Sequence, residues 1–270
     1  MCIRKVLLII LDWASDVVKF YFAMRKVICW DSFIIAILLV LQMNTKVDDG
    51  YIDFERVKLK SIKYGNIILN YLTEEYKWPN ATVYYKFEGS FPRSAIRRIK
   101  QAMQIISSVS CVRFLSKPSN EVDYVEITSE RSGCWSDTGR HSQITQLNLG
   151  PECYASVGTP LHELMHTLGF LHQHTRPDRD QYIQVLYENV IQQPEYLFNF
   201  EIIEPWTELA FPLPYDFESI MHYTPAMYSR EPSRLPTMIP RKIPPASETI
   251  GQRNQLSTLD IIGINFLYCV

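Results

Sequence analysis

The sequence predicts a mixed α/β fold (α+β) in two unlike halves: a twisted sheet with helices, then an irregular part, with a cleft between them. Three observations predict it. Short stretches of strand-like alternation recur between residues 82 and 149. The first is followed by apolar side chains at helical spacing. Beyond residue 172 the chain becomes proline-rich and loses its period until about Ser257.

The first 43 residues read as a leader. Two apolar runs, 6–11 and 33–41, are separated by charged residues. Each is well short of the roughly 20 apolar residues a membrane helix needs, so no stable membrane span is expected. The second run has the form of a secretory signal core, with Arg25 and Lys26 as its basic flank and Met24 as a candidate start. Residues 44–68 are polar and charged with little periodicity, and read as a pro-segment; residues 69–270 form the catalytic-sized domain. A hydrophobic content of 47% supports a full core, while a net charge of −2 and the lack of a basic run interleaved with aromatics argue against a nucleic-acid partner.

Within the domain, residues 82–88 alternate as a strand, and Asn80-Ala81-Thr82 is a glycosylation sequon. Apolar residues at 95, 96, 99, 102, 103 and 106 predict a helix over 94–106. Strands are expected at 111–115, 124–128 and 144–149. Leu147 to Leu149, just ahead of the cleft, are placed to pair with an extended substrate. Thr159-Pro160 reads as N-cap and first residue of a helix over 160–168. Ser257 and Asp260 form an S-x-x-D capping box before a last helix that runs to Leu267.

The chemistry is concentrated in the helix at the boundary. Residues 162–172 read His-Glu-Leu-Met-His-Thr-Leu-Gly-Phe-Leu-His, the pattern H-E-x-x-H-x-x-G-x-x-H. On a helix, His162 and His166 share one face and can present two imidazoles to one ion. Glu163 can reach a water on that ion as general base. Gly169 can take positive φ, end the helix and bring round His172 as third ligand. Three neutral nitrogens leave a fourth position open, as catalytic zinc requires, so one Zn2+ per chain is expected. A bare H-E-x-x-H arises by chance; the glycine and third histidine at fixed spacing are far harder to obtain that way.

About fifty residues downstream, Ser219-Ile220-Met221-His222-Tyr223 resembles the Met-turn of the metzincins, in which a methionine forms an apolar floor beneath the three imidazoles. In particular the chain resembles the astacins. The resemblance is carried by the run from His162 to Asp180 and its Arg176-Pro177-Asp178-Arg179-Asp180 tail. Cys111-Val112-Arg113-Phe114, Asp123-Tyr124-Val125-Glu126-Ile127, Ser132-Gly133-Cys134-Trp135-Ser136 and Leu256-Ser257-Thr258-Leu259-Asp260 also match, and the likeness covers about 76–269.

It implies a zincin-like, metzincin catalytic domain and a secreted zinc endopeptidase made as a zymogen, acting on extended protein or peptide chains. Glu163 would assist attack by a zinc-bound water. Tyr223 would bind zinc at rest and then hydrogen-bond the developing oxyanion. His174 and His222 are off ligand spacing and read as structural or exposed.

Of six cysteines, Cys2 and Cys29 lie in the leader; the other four allow three pairings, and the resemblance implies Cys111 with Cys269 and Cys134 with Cys153. One residue departs from the family: Gln173 stands where a glutamate usually anchors the mature amino terminus. The alternative to an enzyme is a zinc-bound pseudoprotease used as a binding module. Such a chain normally lacks Glu163 or a ligand, and here none is missing.

Overall fold

A computed structural model describes residues 76–203, 213–242 and 250–269; the expected leader and pro-segment lie outside them. A five-stranded sheet has the order β2-β1-β3-β5-β4. Its strands are β1 (Thr82–Phe87), β2 (Arg113–Ser116), β3 (Tyr124–Thr128), β4 (Cys134–Ser136) and β5 (Ile144–Leu149). The first three and β5 run parallel, and β4 is antiparallel to β5. Crossing from β1 to its parallel neighbour β2 requires a long connection, supplied by helix α1 (Arg93–Val109). That helix buries Ala95, Ile99, Ala102, Met103 and Ile106, the stripe expected from the period. Strand β2 begins at Arg113 rather than Cys111, opposite Thr82, where its partner β1 begins.

The sheet corrects one expectation. Leu147 to Leu149 are not at an edge: β5 lies between β3 and β4, with Leu149 opposite Cys134 and Leu147 opposite Ser136. On this side of the sheet the edge is strand β4. Its three residues are too few to show a period, and their position comes from side chains. The buried amide of Asn148 donates to the carbonyls of Arg131 and Gly133 and accepts from Thr128 and the Arg131 N–H. The Cys134–Cys153 disulfide ties the strand to the turn before the next helix. Both disulfides implied by the family resemblance are present.

Helix α2 (Gly158–Thr167) follows. It starts two residues earlier than expected, and Thr159 lies inside it; no side chain caps its first turn. The reason is packing. A Cβ at Gly158 would stand 1.7 Å from the carbonyl oxygen of Arg253, so glycine alone lets the first turn press against that segment.

Beyond α2 come short 3-10 turns, a two-stranded sheet of β6 (Ile183–Val185) with β7 (Met238–Pro240), and the four-residue helix α3 (Pro194–Leu197). The last helix, α4 (Thr258–Tyr268), carries the expected capping box: Ser257 Oγ accepts from the Asp260 N–H, and the Asp260 carboxylate accepts from the Ser257 N–H.

Two apolar clusters result. The larger joins the sheet, α1, α2 and α4; the smaller gathers Ile183, Val190, Phe200, Tyr215, Tyr223 and Met238. Among the described residues no helix is long and apolar enough to cross a membrane.

Candidate metal centre

Helix α2 is buried along almost its whole length, including Leu161, Leu164 and Met165 on the core side and His162, Glu163 and His166 on the other. It ends in a Schellman turn. Gly169 has φ +101°, its N–H donates to the His166 carbonyl at 2.7 Å, and the Phe170 N–H donates to Met165 at 3.1 Å. The turn does two things. It sends the chain back so that His172 faces the helix, and it returns the Phe170 carbonyl to within 2.7 Å of His166 Nδ1. The remaining carbonyls at the helix end are met by Trp78 Nε1 on Thr167 and the Tyr268 hydroxyl on Leu168.

The three expected ligand nitrogens converge. His172 Nε2 lies 3.0 Å from His166 Nε2 and 3.3 Å from His162 Nε2. His162 Nδ1 is 2.7 Å from the Ile220 carbonyl and His166 Nδ1 is 2.7 Å from that of Phe170. A carbonyl only accepts, so both Nδ1 atoms carry the proton and both Nε2 atoms present lone pairs.

Lone pairs at such separations repel unless a cation lies between them. Nitrogens about 2.0–2.1 Å from a tetrahedral zinc stand roughly 3.3 Å apart, so the donor set fits that ion. Burial also holds the imidazoles neutral: it pushes His166 down to about 4, and His162 and His172 well below the usual histidine range. These three residues could together hold a metal ion.

Glu163 is 4% exposed, and its Oε2 has no hydrogen-bond partner. Burial pushes its carboxyl up to about 8, opposed by the positive field of Arg253. Arg253 had no signal in the sequence, since it lies some ninety residues from the helix at no telling interval. In the fold its guanidinium donates to the carbonyls of His222 and Gln252, and the charge acts on the Glu163 carboxylate.

Met221 is buried in the larger cluster, and its carbonyl accepts from the Gln173 N–H, which locks the Met-turn to the residue after the third histidine. Tyr223 is 5% exposed; its ring lies 4.4 Å from that of His172 and stacks at 4.0 Å on His174. Burial and a hydrogen bond with Tyr228 push its phenol far above the usual range.

His174 and His222 do not join the converging nitrogens. Both are fully buried: His174 Nε2 bonds the Asn199 carbonyl, and His222 lies between the Tyr215 hydroxyl and the Tyr223 carbonyl. Gln173 lines a cavity together with Asp216 and Asp260. Two carboxylates are therefore present near the Gln173 amide.

Comparison with known proteins places this site in context. The model of the peptidase family described as "Astacin" matches residues 70–269. Seminal metalloprotease 1 of Drosophila melanogaster is 36% identical over 225 residues, covering 78% of this chain and 84% of that protein. A bone morphogenetic protein 1 homolog of Strongylocentrotus purpuratus is 36% identical over 200 residues, covering 72% of this chain but only 31% of that protein. Among solved structures, high choriolytic enzyme 1, a hatching enzyme zinc-protease from the medaka fish Oryzias latipes, is similar with TM-score 0.63 and 34% identity, covering 71% of this chain and 92% of that one.

Proposed function

Because the chain belongs to the astacin family of peptidases, we propose that it is a zinc-dependent endopeptidase cleaving extended chains in an oxidising, extracellular setting. The observation that carries this reading is the convergence of three Nε2 atoms, two from α2 and one from the turn after it, with His172 Nε2 3.0 and 3.3 Å from the other two, beside a Glu163 carboxyl on the same helix whose Oε2 is buried without a partner. Two disulfides support the compartment, since such bonds persist where thiols are not kept reduced.

His162, His166 and His172 would hold the ion. Zinc, when bound, supplies Lewis acidity toward a peptide carbonyl and toward water. Glu163 takes the proton from the attacking water and passes it to the leaving amine. Water is the nucleophile, so no acyl-enzyme is formed. The Tyr223 hydroxyl hydrogen-bonds the oxyanion as charge develops on the former carbonyl oxygen. An extended substrate adds to the free edge of β4, whose Ser136 side chain meets Thr167 of α2 at 3.0 Å and so keeps that edge in fixed register with the helix.

The test is Glu163→Gln in the full chain, with bound zinc and turnover on a denatured generic protein measured together. Turnover should fall by roughly 10^2- to 10^4-fold with the metal retained. Near-normal turnover would remove Glu163 from the mechanism, and unchanged turnover after chelation would remove the metal.

A further inference from the structure

The first ligand histidine is held from behind by a hydrogen-bonded series that ends on a buried carboxylate. His162 Nδ1–H donates to the Ile220 carbonyl at 2.7 Å. The N–H at the other end of that same peptide, on Met221, donates to Ser219 Oγ at 3.0 Å. The Ser219 hydroxyl donates in turn to Asp260 Oδ1 at 2.7 Å. Asp260 Oδ2 accepts from the Ile220 N–H and the Ser257 N–H, both at 2.9 Å. His162, Ser219, Ile220, Met221 and Asp260 are all buried.

We propose that Asp260 is a positioning residue for the metal centre, acting through Ser219 and the peptide joining Ile220 to Met221 to orient His162 and fix its tautomer. This rests on the reading of the three histidines as zinc ligands.

Three physical points support it. Every bond in the series runs in one direction, donor to acceptor, from the imidazole to the carboxylate, so each polarises the next. Its end is a buried carboxylate, and an anion behind a ligand imidazole raises the basicity of the metal-facing nitrogen. Finally, Asp260 also caps α4. One side chain therefore ties the Met-turn to a helix whose far end is fixed to Cys111 by the disulfide at Cys269. The Ile220 carbonyl cannot rotate away from His162 without breaking contacts at Ser219 or Asp260.

A role in capping alone must be separated from positioning, and the two serines do so. Ser219→Ala removes the middle of the series and leaves the capping box. Ser257→Ala weakens the cap and leaves the link from Ser219 to Asp260. The full chain and both variants are compared for zinc affinity by competition with a chromophoric chelator, for kcat and KM on a denatured protein, for the visible spectrum after cobalt substitution, and for the melting temperature of the metal-free form.

Ser219→Ala should bind zinc about 10- to 100-fold more weakly, lower kcat with little change in KM, and shift the cobalt bands. Ser257→Ala should melt earlier yet bind zinc within about twofold of the unsubstituted chain, as expected of a lost cap. Asp260→Asn, which keeps the shape and removes the charge, serves as a second route and should weaken zinc binding in the same direction. Zinc affinity unchanged in Ser219→Ala or in Asp260→Asn would overturn the proposal, as would an equal loss in Ser257→Ala. If the unsubstituted chain itself failed to bind zinc, the metal reading would fall; if it bound zinc and cleaved protein while Ser219→Ala did the same, only the positioning role would fall.

Discussion

The two halves of the domain meet their backbone hydrogen-bonding needs in different ways. Before the metal centre, main chain mostly bonds to main chain, in ladders and helices that bury aliphatic faces such as Val83, Ile99, Ile127 and Leu147. After it, side chains reach across to stranded carbonyls. Arg179, 3% exposed, donates to the carbonyls of His174 and Phe200 and to the Tyr187 hydroxyl. Thr237 Oγ1 donates to Pro225 and Met227, and Asn189 donates to Pro236. The centre draws from both: His162 and His166 come from a regular helix, His172 and Tyr223 from the irregular part. An irregular segment can be as well satisfied as a regular one, but its order depends on a few individual side chains.

If so, single substitutions should separate the halves. The largest effect is expected at Arg179. Arg179→Met leaves the His174 carbonyl without a donor and the Phe200 carbonyl with the Tyr187 hydroxyl alone, removes two charge-assisted hydrogen bonds and should cost about 3–5 kcal/mol. Its salt bridge to Asp180, which is 60% exposed, contributes little to that figure. Ile127→Val in the sheet should cost about 0.5–1.5 kcal/mol. Urea unfolding of both variants decides; similar losses would mean that the aromatic cluster, and not Arg179, holds the second half.

Next come the crosslinks. Replacing Cys134 and Cys153 by serine should lower stability by about 2–4 kcal/mol while amide exchange at β6 and β7 stays as protected as before. Loss of protection there would show that the halves unfold as one.

The smallest effect is on acid sensitivity. Burial holds His222 down to about 4. As pH falls below about 6.5 the unfolded chain takes up this proton first, so stability present at neutral pH is lost progressively toward pH 4, by about 2 kcal/mol between pH 7 and pH 5. His222→Gln should flatten the melting profile by that amount; coincident profiles would assign the acid loss to other groups.

The same contrast explains what could be read from the residues alone. Periodicity located β1, β3, β5 and α1 because their neighbours are backbone and aliphatic. The local grammar of caps and turns located Gly169 and the Ser257–Asp260 box. The three converging histidines were legible because helix pitch and one turn set their geometry. Strand β4 was missed because a disulfide and the Asn148 amide place it. Arg253 and the link from Asp260 to His162 were missed because each joins residues far apart in the chain through contacts that no spacing records. The early start of α2 belongs with these: it depends on how closely two backbones approach.

That approach has a consequence for anyone mapping tolerance to mutation in this chain. Gly158 holds no atom that meets a metal or a substrate, and its backbone is ordinary helix. Yet any side chain there puts carbon 1.7 Å from the oxygen and 2.4 Å from the carbonyl carbon of Arg253, so either the helix start or the segment bearing that arginine must shift. In a saturation scan scored by proteolysis, position 158 would rank beside His162 and His166. The intolerance would be the imprint of a packing distance between two stretches of backbone, with no chemistry at the position itself.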